Sequence, residues 1–295
     1  MATEWEGKSK GTVLGYRIYI FFIKKLGLGA SYLLLHFVVL YYCIFSVAST
    51  KSIFYYFHKR LGYSTLKSLF NVYKNYYVFG QTIIDKAAIS AGLRNKFTYD
   101  FDGIDKIESL LAQKKGGILL SAHIGNFEVA QHFLQDVNAF SSINLVTWDR
   151  EHEEIKAYME SVTSKSNIKL ILIKEDMSHI FEIHTALTNG ELVCFTGDRY
   201  IEGTKFLEQQ FLGETAKFPM GPYLLASRLK VPVLFVYVMK ESKKHYHLYA
   251  RTAEVKRGDA QGLLEKYTEN LEWIIKKYPL QWFNYFDFWG DKINK

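Results

Sequence analysis

Two hydrophobic periods divide the chain near residue 96. Before that point apolar and aromatic residues recur at helical spacing. Residues 28–49, "LGASYLLLHFVVLYYCIFSVAS", form a 22-residue run without Asp, Glu, Lys or Arg. A helix of about 20 apolar residues is enough to cross the hydrocarbon core of a bilayer. The next stretch, "SIFYYFHKRLGYSTLKSLFNVYKNYYVFGQTII" (52–84), keeps a helical period and is rich in aromatics. After residue 96, short β-rich runs alternate with amphipathic stretches. Strands are predicted at 116–121, 143–148, 168–173, 191–197, 231–240 and 245–251. Helices are predicted from Asn126 and over 151–165, 178–190, 219–230 and 262–278. Continuous apolar strands alternating with helices predict an α/β fold, a mixed, largely parallel sheet flanked by helices. The last two strands are separated only by "ESKK" and are expected to pair antiparallel. The pattern thus predicts an amino-terminal, membrane-associated helical segment over 1–95 and an α/β domain over 96–295.

The apolar run at 28–49 admits three readings: a membrane or interfacial helix, a buried core helix, or a secretory leader cleaved near Ser46-Val47-Ala48. The 27 residues before it are already patterned, unlike a short basic leader. Basic residues flank both sides: Lys8, Lys10, Arg17, Lys24 and Lys25 before, Lys51, Lys59, Arg60 and Lys67 after. Such symmetry gives the positive-inside rule nothing to orient. It suits a helix that dips into one leaflet and returns, with the bulk of the chain on the cytoplasmic face.

The formal charge of +7 calls for an anionic partner: nucleic acid, an acidic carrier protein or a lipid surface. The charge is spread rather than clustered, and no zinc-finger spacing, RNA-binding aromatic motif or basic zipper occurs, which argues against nucleic acid. Cys43 and Cys194 lie in apolar runs, as small hydrophobes rather than a disulfide or metal site.

The candidate chemistry sits in "GGILLSAHIGNFEVA" (116–130). An apolar strand delivers His123, Gly125 permits a tight turn, Asn126 caps a helix, and Glu128 follows. In α/β sheets ligands gather at the carboxyl ends of strands, where His123 lies. A His with a nearby acid can form a base dyad: the imidazole takes a proton and the carboxylate fixes its tautomer. The same pair can equally be a structural contact. The spacing is not that of a zinc-binding HExxH, and no metal is expected.

His, four residues, acid after an apolar strand resembles the signature of the lysophospholipid and glycerolipid acyltransferase superfamily. "HIGNFE" is similar to the form found in the bacterial lipid A late (lauroyl and myristoyl) acyltransferases. The block 196–240, "TGDRYIEGTKFLEQQFLGETAKFPMGPYLLASRLKVPVLFVYVMK", and the tail "YPLQWFNYFDFW" resemble two further conserved regions of that family. The resemblance implies His123 as general base and Glu128 as its orienting partner. It implies transfer of a fatty acyl chain from an acyl thioester, on acyl carrier protein or coenzyme A, to a hydroxyl or amine of a lipid A precursor or related lipid, with no bound cofactor or metal. It places the enzyme on the cytoplasmic face of a bacterial inner membrane. A lysophospholipid, an aminolipid or an aryl polyene lipid are alternative acceptors, and a non-catalytic lipid-binding protein on the same scaffold is the alternative class.

Further roles follow from the same resemblance. Asp198 and Arg199 match a strand-end acidic position, with Arg199 and, more weakly, Lys205 suited to a substrate phosphate; a surface Asp-Arg pair is the alternative. Arg150 falls where relatives carry a basic acceptor contact, although "WDREHEE" departs from the usual pattern and also reads as a charged helix start. Asn126, with Gly125, is placed to offer backbone N–H groups to an oxyanion. Phe218, Pro219, Gly221 and Pro222 shape a helix start. Gln281, Trp282 and Phe283 are expected to pack beneath the site or face the acyl chain.

Overall fold

The computed structural model describes residues 13–134, 142–147 and 168–290. The helix expected over 151–165, and Arg150 with it, lie outside the described residues. The amino-terminal part is helical. Helix α1 (Val13–Phe45) bends at Gly27, whose φ of +79° lies in the left-handed region that glycine tolerates. Helices α2 (Val47–Tyr55) and α3 (Thr65–Ala88) follow. One face of α1 buries Leu28, Tyr32, Leu35 and Val39, spaced by three and four, against the rest of the chain. A Cβ added to Gly80 on α3 would come within 2.3 Å of a Leu35 methyl carbon, so this glycine leaves room for the Leu35 side chain between the two helices. The opposite face of α1 is also apolar: Leu33, Phe37, Leu40, Tyr41, Ile44 and Phe45 are exposed. The stretch Lys25–Phe45 is long and apolar enough to cross a membrane.

The α/β part begins with β1 (Thr98–Asp102) and α4 (Ile104–Ala112), then β2 (Gly117–Ser121) and α5 (Ala130–Leu134). Strands β3 (Ile143–Thr147) and β4 (Ile168–Leu172), helix α6 (His179–Thr188) and β5 (Leu192–Thr196) come next. They are followed by β6 (Phe206–Phe211), β7 (Glu214–Pro219), α7 (Met220–Arg228), β8 (Val233–Lys240), β9 (His245–Thr252) and α8 (Ala260–Lys277). Seven strands form one sheet in the order β1-β9-β8-β2-β5-β3-β4. Every neighbouring pair is parallel except β8 with β9, as the sequence pattern predicted. The central strand β2 is buried at all five residues, which explains its unbroken apolar run.

The pair β6 and β7 is a separate antiparallel hairpin that the sequence pattern did not predict. Its turn residues, Leu212 and Gly213, both have positive φ (51° and 78°), the geometry of a tight hairpin turn. Leucine is rarely found there, so no turn signal marked the spot. Its N–H is held by Glu272 Oε1 at 2.6 Å.

Candidate active site

The register of two strands creates the site. Parallel neighbours β2 and β5 align Ser121 with Thr196, and Gly197 donates its N–H to the Ser121 carbonyl at 2.9 Å. Two residues beyond each aligned position the chains carry His123 and Asp198, which therefore meet. Nδ1 of His123 lies 2.7 Å from Asp198 Oδ1, and the His123 main-chain N–H donates to both carboxylate oxygens at 3.1 and 3.0 Å. The Trp282 indole N–H donates to Oδ2 at 3.2 Å. Asp198 is buried at 2% exposure, whereas the His123 side chain keeps 27%. An ionised carboxylate only accepts, so Nδ1 carries the proton and Nε2 is left as the basic nitrogen.

Gly125 closes the turn after His123. Its φ is +61°, and a Cβ there would fall 2.1 Å from the Val238 carbonyl oxygen. The turn is pinned on both sides: Gly125 N–H donates to Gln281 O at 2.9 Å, Asn126 N–H to Val238 O at 2.7 Å, and Phe283 N–H to His123 O at 2.9 Å.

Several expected roles change in this geometry. The carboxylate on the imidazole is Asp198, not Glu128. Glu128 pairs with Lys86 of α3 and acts on the ring through its field. The reason is topological: Asp198 is delivered by the neighbouring strand at the level of His123. Asn126 is buried and turned inward, donating to Thr82 O at 3.0 Å and Tyr246 Oη at 3.3 Å, so its side chain faces the core rather than substrate. The N–H groups of Gly125 and Asn126 are spent on carbonyls and are not oxyanion donors. Arg199 lies half-buried beside the dyad, donating to Phe283 O at 3.0 Å and stacking over the Phe286 ring. Lys205 is exposed in the loop before β6, and its carbonyl accepts the N–H of Met220, the first residue of α7. Phe218 is buried in the core, and Pro219 immediately precedes α7. Cys43 and Cys194 are free thiols, half-buried and buried.

Electrostatics favour a neutral imidazole. Burial, and then the Arg199 guanidinium, depress the His123 imidazole below its ordinary value, although Asp198 and Glu128 pull the other way. Burial alone would raise the Asp198 carboxyl. The charge of the His123 imidazolium when the ring is protonated, its N–H donors in either state, and Arg199 outweigh it and hold the group below the usual carboxylate range. Burial lowers Arg199 to about 10, which leaves it cationic near neutrality.

The sequence profile of the bacterial lipid A biosynthesis acyltransferases matches residues 72–289, a span holding the dyad, Arg199 and the tail around Trp282. A curated relative, a phosphatidylinositol mannoside acyltransferase of Mycobacterium tuberculosis, is 21% identical over 181 residues. That alignment covers 61% of this chain and 56% of the relative, so the chain spans little more than half the relative's length. A match running from α3 through the carboxyl-terminal tail, across every element that builds the site, shows that the chain belongs to the bacterial lipid A biosynthesis acyltransferase family.

Proposed function

We propose that the protein is a membrane-associated lipid acyltransferase with His123 as its general base and Asp198 as the carboxylate that orients it. The observation that carries this reading is the buried Asp198 bonded to Nδ1 of a partly exposed imidazole, in a chain that belongs to this family. Nε2 takes the proton from an acceptor hydroxyl or amine, the oxygen or nitrogen attacks the thioester carbonyl, and the C–S bond breaks. The imidazolium then returns its proton to the departing thiolate, so the step needs no metal and no covalent intermediate. The donor is an acyl thioester on acyl carrier protein or coenzyme A. The surplus of basic residues favours the acidic carrier protein. Arg199 is the cation beside the dyad, suited to a phosphate of the acceptor.

The acceptor is a membrane lipid. The family is named for lipid A biosynthesis and the mycobacterial relative for a phosphatidylinositol mannoside, and an anionic glycolipid acceptor is the chemistry that fits both names. The exposed apolar face of α1 supports action at a bilayer surface, and the cytoplasmic face of an inner membrane is where carrier-bound acyl chains are found. Lipid mass spectrometry on cells carrying the gene, lacking it, or carrying His123→Ala tests the reading. The expected result is one acylated lipid, with lysophospholipid, aminolipid and aryl polyene products included in the search, that disappears in both altered strains. A lipid profile rescued fully by His123→Ala would instead establish a non-catalytic lipid-binding protein.

A further inference from the structure

The strand-end dyad is held by a segment far from it in sequence. Residues 279–283 run across the turn that carries His123. Gln281 O accepts from Gly125, Phe283 N–H donates to His123 O, and Trp282 bridges Ile124. The segment is itself fixed at several points. Asn75 of α3, fully buried, donates to Leu280 O at 3.0 Å and Trp282 O at 3.1 Å. Tyr56 Oη donates to Pro279 O at 3.0 Å. The Gln281 amide exchanges two hydrogen bonds with the Lys240 main chain at 2.9 and 2.7 Å. From this frame the Trp282 indole, 1% exposed and ringed by Tyr56, Phe211, Phe288 and Trp289, directs its N–H at Asp198 Oδ2.

We propose that Trp282 is a positioning residue of the dyad: its N–H holds the Asp198 carboxylate in the rotation at which Oδ1 receives Nδ1–H of His123. A carboxylate's terminal torsion is broad and nearly two-fold, so it needs a second directional donor to stay fixed. The His123 main-chain N–H straddles both oxygens and cannot choose between rotations. Trp282 bonds Oδ2 alone and is that directional donor. To the aromatic packing the indole adds an N–H, which a phenylalanine ring would lack. The proposal rests on the general-base reading of His123.

The test replaces Trp282 with β-(3-benzothienyl)alanine, which puts sulfur in place of N–H at almost the same volume, with Trp282→Phe as a second variant. Purified full-length protein transfers acyl groups from a thioester to its lipid acceptor across a pH series. We expect kcat to fall roughly tenfold to a hundredfold, as for a small misplacement of a catalytic group, with KM little changed and the melting transition retained. The acid limb of kcat/KM should move to higher pH. Relieved of one donor, Asp198 binds the imidazolium more tightly, against an otherwise unchanged surrounding of Arg199 and Glu128 at the ring and Tyr223, Tyr237 and Tyr267 at the carboxylate. An unaltered kcat and acid limb would overturn the proposal and leave Trp282 as packing. His123→Ala in the same assay separates the failures: transfer that survives it would defeat the general-base reading itself.

Discussion

An imidazole acts as a base only in the tautomer that leaves a nitrogen free, and at residue 123 that choice belongs to Asp198. Asp198→Asn can donate to Nδ1 and so favour the wrong tautomer. A loss of roughly 10⁴-fold in kcat is expected, as for the same substitution in a Ser-His-Asp triad, with folding retained. Glu128→Gln removes an ion pair with Lys86 and a distant field, and should cost less than about tenfold, the range of a surface pair near 1 kcal/mol. Parallel rate measurements on the two variants check this, and equal losses would return the orienting role to Glu128. The His123 shift sets the pH profile. Because burial and Arg199 lower its value, activity should fall on acidification only below the ordinary histidine range near 6.5, as the base becomes protonated. An acid limb above that range would contradict the described surroundings. His123 was legible in the sequence because an apolar strand ended on it. Asp198 was legible as a site residue but not as its partner, since 75 residues separate the two and only strand order joins them. Asn126 misled because a capping residue and an inward-facing one read alike.

At the scale of elements, α3 joins the amino-terminal helices to the turn that carries His123. Thr82 O accepts from Asn126, Lys86 pairs with Glu128, and Asn75 anchors the segment carrying Trp282. Beside these, Asp85, fully buried, receives Lys240 Nζ and Tyr246 Oη at 2.5 Å each, and Tyr32 of α1. Four elements therefore share one buried charge pair. Lys240→Met leaves the Asp85 carboxylate buried without its cation and should destabilise the protein by about 3–5 kcal/mol. The double variant with Asp85→Leu should regain most of that loss. Thermal or chemical unfolding checks both, and a double variant as unstable as the single one would contradict the pairing. The central strands were legible because they are buried on both faces. Strand β1, "TYDFD", was not: it is an edge strand with every second residue exposed and carries no apolar run. Nothing in the sequence paired Asp85, within "TIIDKAA", with Lys240 at the end of "VYVMK": 155 residues separate the two, and only the packing of α3 on β8 joins them.

For the molecule as a whole, α1 presents apolar residues on two sides and the protein covers only one. The exposed row of Leu33, Phe37, Leu40, Ile44 and Phe45 suits a hydrocarbon surface, and the segments that follow expose Lys51, Lys59 and Lys67, whose charge suits anionic headgroups. Phe37→Glu with Ile44→Glu should weaken binding to anionic vesicles strongly, since each large apolar side chain contributes about 1.5–3 kcal/mol when buried in an apolar phase. Flotation with vesicles reads this directly, and undiminished binding would place the contact elsewhere. The helix was legible from composition alone; which of its faces stays uncovered required the packing of α3. The chemistry stands or falls on one comparison: the rate of acyl transfer from a thioester to vesicle lipid by the wild-type protein and by His123→Ala, with melting curves for both. A drop of at least roughly 10²-fold at an unchanged melting temperature is expected for removal of a general base, and a variant that transfers acyl groups at the wild-type rate would contradict it.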